Sequence, residues 1–415
     1  MKKMKKICLL ACLLILSLSA LEAEDLFTFE VLPDSPLYKE ATADPYSYST
    51  YVRVISALGD QRPNKIKSIV IEHDPDDTTG ANDRAFYAFL PYADYALSND
   101  NKNYVNMKTA VSLGLFRVRF NGKDWIPTID FEVTLAGYIN TLFNLFGGTN
   151  TLDFDGSYFF GSSLRLADTV TFRLGIHHFS GHYGDEILQT YYAYNEADFT
   201  DMYNFSALFD YAKTYSDADK TKKYYLSGPV EYVRDNSWML TVSADLPWGF
   251  RIYGEAELPQ NPSWLRPFVH VPADYDNQAT NSSETLVEQI GNSENVPKAQ
   301  FKEEENLKRT SNGSYKAWRL HAGIEWRINV GFGAIFAAAD FQFHQDGQTL
   351  HQIGGYSKDN PWEIEVTVGG GLELGNILEG KKTVRIEAYY HNGRVPATQW
   401  FYQRLSCVTV GIGIN

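Results

Sequence analysis

Groups that could do chemistry are concentrated in one short stretch of the sequence, FRLGIHHFSGHYGDE at 172–186. His178 and Ser180 are two residues apart, so they share one face of an extended strand. An imidazole within reach of a hydroxyl is the minimum requirement for base-activated nucleophilic attack. The motif continues with His182, Gly184, Asp185 and Glu186. The pattern therefore predicts a candidate serine hydrolase site, with Ser180 as nucleophile and His178 as base.

The same motif is open to two other interpretations. A metal or ligand site could use His178 and His182 with Asp185 or Glu186, because imidazole and carboxylate groups are common metal ligands. In the structural interpretation, the strand turns polar where it emerges into solvent. Asp185 and Glu186 then begin a loop and accept hydrogen bonds from neighbouring backbone N–H groups.

The N-terminus has the form of a secretory signal peptide, predicted over residues 1–23. Lys2, Lys3, Lys5 and Lys6 precede an apolar run, and small residues follow it. With that segment removed, Cys407 is the only cysteine left, so no intramolecular disulfide or cysteine metal site is expected. The net charge of the whole chain is -14, which argues against nucleic acid as a partner.

Most of the chain alternates between apolar and polar residues. In 238–246, Trp238, Leu240 and Val242 share one face, and Thr241 and Ser243 share the other. The segments are long enough for the roughly ten residues with which a tilted strand crosses a bilayer. Because a closed barrel satisfies every backbone group in lipid, we predict an all-β, antiparallel, up-and-down transmembrane β-barrel in the bacterial outer membrane.

The alternation predicts about fourteen strands, with twelve as the alternative because bacterial barrels use even numbers. The predicted strands are 46–57, 110–120, 126–140, 150–166, 169–183, 201–213, 223–233, 237–246, 250–258, 315–328, 334–345, 361–374, 381–391 and 404–415.

The predicted organisation is a periplasmic N-terminal segment at 24–45 followed by one barrel domain at 46–415. Short turns face the periplasm. The long connections 58–109, 184–200 and 259–314 are predicted to be extracellular. An extra hairpin of 65–71 with 84–91 could lie inside the first of them.

Charged residues of both signs recur on the polar face of the strands and are predicted to point into the lumen. This set comprises Arg165, Arg173, Arg251, Glu255, Arg319, His321, Glu325, Asp340, Glu363, Arg385 and Glu387. Such residues form an ion-paired filling that supports the wall, or they line a narrow pore that prefers cations.

No organic cofactor is expected, and Ca²⁺ is the one candidate ion. The predicted exterior loop HDPDDTTGAND at 73–83 gathers four carboxylates, and hard cations take clustered oxygens. These are Asp74, Asp76, Asp77 and Asp83.

Segments spread along the whole chain carry a resemblance to a known family. The stretches PDSPLYKEATADPYSYS, AVSLGLFRV, HHFSGHYGDE, RIYGEAE and RIEAYYHNGRVPATQWFYQR, in that order along the chain, resemble an uncharacterised bacterial family of outer-membrane proteins of unknown function. That resemblance implies a barrel in the outer membrane and brings no activity with it. This chain differs from the expected pattern at the end of its last strand. An aromatic residue is expected there, and the chain has Asn415.

A second resemblance is local. The pair His178-Phe179-Ser180 is similar to the His-x-Ser pair of outer-membrane phospholipase A and lipid A deacylase, which lies on the outer face of a strand. The resemblance implies an orienting Asn or Glu on the next strand. In those enzymes that residue follows roughly a dozen positions later, where this chain has Tyr192. The candidates are Asn195 and Glu196, a little beyond it, and Asn204, which is farther along the chain and points inward by phase.

The function predicted first is a structural or surface-binding barrel with a filled polar lumen. A lipid-ester hydrolase using Ser180 and His178 and a narrow pore are the alternatives. The expected partners are outer-membrane lipids and the barrel assembly machinery. The sequence leaves the oligomeric state open.

Overall fold

The computed structural model describes residues 26–59, 65–73, 84–91, 102–122, 125–145, 151–184, 223–231, 233–260, 268–269, 318–344, 363–375, 383–397, 400 and 404–414. Within these ranges, no helix is long and apolar enough to span a membrane. Among the described residues, the regular structure is β-strand apart from short 3-10 turns at Pro247–Gly249 and at Trp400.

The wall of the molecule is a closed barrel of twelve antiparallel strands. They are β2 (Thr50–Ala57), β5 (Asn103–Phe120), β6 (Ile129–Asn144), β7 (Thr151–Leu166), β8 (Val170–Tyr183), β10 (Val233–Asp245), β11 (Phe250–Pro259), β13 (Arg319–Asn329), β14 (Gly333–His344), β15 (Glu363–Leu374), β16 (Val384–Arg394) and β17 (Arg404–Ile414).

The barrel closes where β5 pairs with β6 on one side and with β2 on the other, while β2 also pairs with β17. Every wall strand therefore has two hydrogen-bonded neighbours, which removes the free edges that an open sheet would expose. The predicted fold is confirmed, and the strand number is twelve, the lower of the two predicted values.

The alternation runs opposite to that of a water-soluble sheet, with apolar side chains outside and polar ones inside. On β6, Phe131, Leu135 and Ile139 are 41%, 39% and 53% exposed, whereas Glu132 and Thr134 are fully buried. The same pattern recurs on the other wall strands. An apolar outer surface around a polar interior is typical of transmembrane barrels.

Short hairpin turns collect at one end of the barrel. The turn between β7 and β8 has two central residues, Ala167 and Asp168, with φ of 52° and 54°. Such left-handed pairs match the twist of a two-residue hairpin. The Asp168 carboxylate accepts hydrogen bonds at 2.8 Å from Arg119 and 2.9 Å from Thr128, which tie this turn to its neighbours.

The N-terminal segment does not lie outside the barrel. β1 (Phe27–Val31) pairs with β5 from Phe116 to Phe120. This part of β5 lies beyond residues 103–108, which pair with β2. The chain between β1 and β2 then turns inward, and from Leu37 onward most of it is buried. We call residues 33–49 the strap. The segment predicted as periplasmic, 24–45, thus contributes β1 and most of the strap, and β2 begins at Thr50 rather than at 46.

The end of the lumen opposite the short hairpin turns is also covered by the chain. The connection between β16 and β17 folds inward, so that Val395, Ala397 and Trp400 are fully buried. They pack with apolar residues of the wall such as Leu152 and Leu405. The Trp400 Nε1–H donates to the Leu152 carbonyl at 3.1 Å, which satisfies its one polar atom.

A second, four-stranded sheet is formed by segments of the long connections. Its strands, in spatial order, are β12 (Phe268–Val269), β9 (Lys223–Glu231), β3 (Lys65–His73) and β4 (Arg84–Pro91). The expected hairpin of 65–71 with 84–91 is β3 with β4. The prediction of 223–233 as a wall strand was wrong, because β9 pairs with β3 and β12 instead. The predicted strand 201–213 lies outside the described residues.

Candidate functional site

The His-x-Ser pair lies on the outer face of β8. His177 and Phe179 are buried toward the lumen. The alternate residues His178 and Ser180 lie on the lipid side and are half-buried, and His182 is exposed. The backbone alternation of the strand fixes this arrangement. The pair is therefore positioned to meet molecules held in the outer apolar belt of the barrel.

Neighbouring strands place polar groups beside this pair. Tyr158 of β7 stands opposite His178, and the two rings stack with 5.0 Å between their centroids. The Tyr158 hydroxyl donates to Asn236 Oδ1 of β10 at 3.0 Å. Because β7 and β10 flank β8, this hydrogen bond brings Asn236 next to the histidine.

Asn236 was missed in the sequence because it lies at a β-bulge. The pairing of β10 with β8 shifts between Arg234 and Ser237, and the predicted strand started at 237. The candidates proposed for the orienting residue, Asn195, Glu196 and Asn204, lie outside the described residues. The polar run Asp235-Asn236-Ser237, just before the apolar alternation of β10, is the signal that could have indicated Asn236.

The end of the motif is only partly described. Gly184 donates its N–H to the Leu152 carbonyl at 3.3 Å, and a Cβ there would lie 1.7 Å from the Thr151 carbonyl oxygen. Only glycine fits so close to the neighbouring strand. Asp185 and Glu186 lie outside the described residues, as do the calcium candidates Asp74, Asp76, Asp77 and Asp83.

The lumen is occupied by the strap, whose first half is bound to the wall at β6 and β8. The Leu37 N–H donates to Glu132 of β6 at 2.9 Å. Glu40 pairs with Arg173 of β8 at 2.8 Å, and the Arg173 guanidinium stacks on Tyr38 at 3.9 Å from the ring centroid.

The second half of the strap is bound to three other wall strands, β13, β14 and β5. The Thr42 N–H and hydroxyl both donate to Glu325 of β13 at 2.6 Å. Gln342 of β14 donates to Asp44 at 3.0 Å. The Lys108 ammonium of β5 donates to the strap carbonyls of residues 45 and 47 at 2.5 and 3.0 Å. The strap is thereby fixed around most of the inner circumference.

Of the wall residues predicted for the lumen, those with described side chains point inward and form ion pairs with one another or with neighbouring luminal residues. The pairs include Arg165 with Asp245 at 2.8 Å, Arg251 with Glu325 at 2.9 Å, Arg319 with Glu255 at 2.9 Å and Glu257 at 2.7 Å, Arg53 with Glu387 at 2.8 Å and Arg385 with Glu387 at 3.2 Å. The side chain of Glu363 lies outside the described residues. Pairing of this density lowers the cost of placing so many charges inside one barrel.

One group of luminal ligands has the composition of a metal site. The side chains of Asp44, His321 and Asp340 bring one ligand atom each within 4.8 Å of one another. The His321 Nε2 contacts Asp340, which also accepts from the Tyr253 hydroxyl at 2.6 Å, while Nδ1 lies 3.9 Å from Asp44. Since the two ring nitrogens face different carboxylates, the arrangement suits a bridging imidazolium better than a metal ion, which could use only one of them.

Burial controls the ionisation of the strap tyrosines. Loss of hydration raises the pKa of Tyr38, Tyr46 and Tyr48 above the ordinary value for a phenol. All three therefore remain protonated at neutral pH. The Tyr48 hydroxyl reaches Ser157 of β7 at 3.3 Å.

No family model matches the chain, and no curated protein matches it. Solved structures share similarity over most of its length. The outer membrane phospholipase of Salmonella typhi, a dimer with bound calcium, has a TM-score of 0.37 and 10% identity, covering 84% of this chain and 90% of its own. The β domain of the Bordetella autotransporter BrkA has a TM-score of 0.29 and 8% identity, covering 88% and 98%. A Pseudomonas aeruginosa FadL homologue has a TM-score of 0.27 and 10% identity, covering 92% and 93%.

Proposed function

We propose that this chain is an integral outer-membrane β-barrel whose lumen is closed by its own strap, and that it acts as a structural or surface-binding protein. The observation that carries the proposal is the strap itself. Its backbone and side chains are bonded to β5, β6, β8, β13 and β14 around the interior. A barrel filled in this way supports its wall and offers no continuous aqueous path.

The location in a membrane is supported by the outer surface. Large apolar side chains cover the outward face, and aromatic residues extend beyond it at the end with the short turns. Trp125, Trp248 and Phe332 are 88%, 87% and 67% exposed there. Aromatic side chains in that position are typical of a membrane–water interface. Outer-membrane lipids are therefore the proposed surroundings, and the barrel assembly machinery the proposed insertion partner.

The binding role rests on the second sheet. β3, β4, β9 and β12 all come from the connections at the end opposite the short turns. A sheet carried at that end would present a surface to the cell exterior while the filled barrel anchors it. Binding of a partner there would need no opening of the lumen.

Planar-bilayer recording tests the closed lumen. The full mature chain is expected to give no resolved conductance steps, whereas a variant lacking residues 24–47 is expected to conduct ions through the vacated interior. Circular dichroism of both proteins checks that the barrel is retained. Steady ohmic conductance of the full chain would overturn the proposal and favour the narrow pore.

A lipid-ester hydrolase is the second candidate function, favoured by the outward placement of His178 and Ser180 beside Tyr158 and Asn236. In this proposal Ser180 attacks an ester carbonyl, His178 takes its proton, and Asn236 is a positioning residue for the imidazole. Reacting acyl chains would come from the adjacent lipid leaflet.

Fatty-acid release from mixed detergent–lipid micelles tests this candidate, with and without Ca²⁺. Ser180→Ala and His178→Ala should each abolish release, and Asn236→Ala should reduce it. Ser162→Ala is the matched control, because Ser162 lies opposite the outward Leu174 on the same outer wall. Equal activity of Ser180→Ala and Ser162→Ala would remove this candidate.

A further inference from the structure

We infer that Ser157, His177 and Glu257 form a second nucleophile–base–carboxylate arrangement, inside the lumen, that can accept an acyl group from a small carboxylic ester. This site is distinct from the outer-wall pair. His177 precedes His178 in the chain and points to the opposite face of β8, so the two adjacent histidines serve opposite sides of the wall.

The three side chains come from β7, β8 and β11 and are connected in series. Ser157 Oγ lies 3.0 Å from His177 Nε2, and His177 Nδ1 lies 3.0 Å from Glu257 Oε1. Ser157 is 8% exposed, His177 3% and Glu257 0%. Both distances are those of ordinary hydrogen bonds. The hydroxyl and the carboxylate contact different nitrogens of the same imidazole ring.

Further contacts hold the carboxylate in place. Arg319 binds the other oxygen of Glu257 at 2.7 Å, and the Ser237 hydroxyl donates to the same oxygen that faces His177. The guanidinium offsets the charge of the carboxylate. With the Nδ1–H of His177 directed at Glu257, the lone pair of Nε2 faces Ser157 and can accept its proton.

Two other hydroxyl groups in the described part of the lumen each lack one part of this series. Ser163, on the same face of β7, shares its hydrogen bond with the Thr134 hydroxyl at 3.1 Å. Thr367 lies 2.9 Å from His391 Nδ1, but the Nε2 of that ring lies 2.8 Å from the Arg394 carbonyl oxygen rather than from a carboxylate. A neutral carbonyl stabilises a developing imidazolium less than a carboxylate does. Ser163 and Thr367 therefore serve as comparison hydroxyl groups for the proposed site.

The strap covers the nucleophile. Tyr48 places its hydroxyl 3.3 Å from Ser157 Oγ, and its ring meets the His177 ring edge-on at 6.3 Å between centroids. A substrate carbonyl would have to take the place of the Tyr48 phenol. Reactivity of Ser157 should therefore rise when the strap is loosened at this residue.

The proposed reaction is acyl transfer to the serine. Ser157 Oγ forms a bond to the ester carbonyl carbon as its proton moves to His177 Nε2. The ester C–O bond then breaks, and the departing alcohol takes that proton. Water hydrolyses the acyl-serine in the reverse order, with His177 as the base, and releases the carboxylic acid.

A small alkyl fluorophosphonate is the probe that tests the site, since attack on phosphorus forms an O–P bond at the serine and expels fluoride. The full protein in detergent micelles is incubated with the probe, and tandem mass spectrometry locates the modified residue. We expect slow modification of Ser157 in the wild type and modification about tenfold or more faster in Tyr48→Ala. Tyr48→Phe, which removes only the hydroxyl, is the second variant in case Tyr48→Ala fails to fold.

The role of each residue is separated by further variants in the Tyr48→Phe background. Ser157→Ala should abolish modification at 157, and His177→Ala or Glu257→Gln should slow it roughly 100-fold or more. In a Thr367→Ser variant, the new hydroxyl beside His391 should stay unmodified. The inference is overturned if Ser157 stays unmodified in the folded Tyr48 variants, or if its rate is unchanged by Glu257→Gln. Modification of Ser180 instead supports the outer-wall hydrolase alone.

Discussion

Replacing Arg173 with alanine should loosen the strap more than any exposed substitution does. The Arg173 and Glu40 side chains are 3% and 11% exposed and lie 2.8 Å apart. The guanidinium also stacks on Tyr38 of the strap and on Phe159 of the wall, at 3.9 and 4.8 Å from the ring centroids. Alanine removes all of these contacts and leaves the Glu40 carboxylate without its cation.

The magnitude follows from burial. Removing one partner of a buried ion pair costs about 3–5 kcal/mol, because the other charge stays behind uncompensated. Exposed pairs contribute about 0–1 kcal/mol. Arg119 with Asp168 is the matched exposed pair, also 2.8 Å apart but with side chains 38% and 54% exposed. Arg119→Ala is therefore the control, and it should leave the strap in place.

Hydrogen exchange of the strap amides measures this effect without assuming that the whole barrel unfolds. The N–H groups of Leu37 and Thr42 are bonded to Glu132 and Glu325 of the wall, so they exchange when the strap leaves. A loss of about 3 kcal/mol raises the population of the released strap by a factor on the order of 100. Exchange rates that rise equally in Arg173→Ala and Arg119→Ala would refute the reasoning.

Three other predictions concern the wall and its cap. Trp400→Ala should lower the free energy of unfolding in urea by about 3–5 kcal/mol, because the Trp400 side chain is fully buried at the end of the lumen. Gly175→Ala should cost about 1–3 kcal/mol, since its Cβ would lie 2.4 Å from the carbonyl oxygen of Phe160; Gly254→Ala, whose nearest contact is at 3.7 Å, is the control and should be close to neutral. Cys407 is fully buried and should react with maleimide only after unfolding.

The barrel could be predicted from sequence because its wall obeys a simple alternation. Lipid outside and polar filling inside make each strand apolar on one face only, so the alternation predicts the strands around 129–144 and 334–344. Strand β9 alternates in the same way but pairs in a different sheet, and no local pattern distinguishes those two partners.

The strap could not be predicted, because its residues carry no periodic signal. Residues 33–49 are rich in Tyr, Ser, Asp and Pro, a composition that is also typical of an exposed linker. What makes the segment luminal is the set of long-range partners, such as Glu132 for Leu37 and Gln342 for Asp44, which are far away in the chain. Hydrogen bonds between such distant residues leave no trace in local spacing.

The candidate sites also combine features that the sequence predicts with features that depend on contacts between strands. That His178 and Ser180 share one face followed from the strand period alone. Asn236 was hidden by a bulge, and the series Ser157–His177–Glu257 is assembled by three strands whose order around the barrel sets the distances. Chemistry assembled across strands requires the register, which the alternation does not give.

A cross-link between the strap and the wall tests the closed lumen most directly. Asp44 and Gln342 are in hydrogen-bond contact across the interior at 3.0 Å. In a Cys407→Ser background, cysteines at these two positions should form a disulfide when isolated outer membranes are oxidised with molecular iodine, whereas cysteines in place of the exposed Asp34 and of Gln342 should not. Cross-linking of the 44–342 pair alone is the predicted result. Failure of that pair to form a disulfide, with a disulfide formed by the 34–342 pair, would contradict a strap inside the barrel.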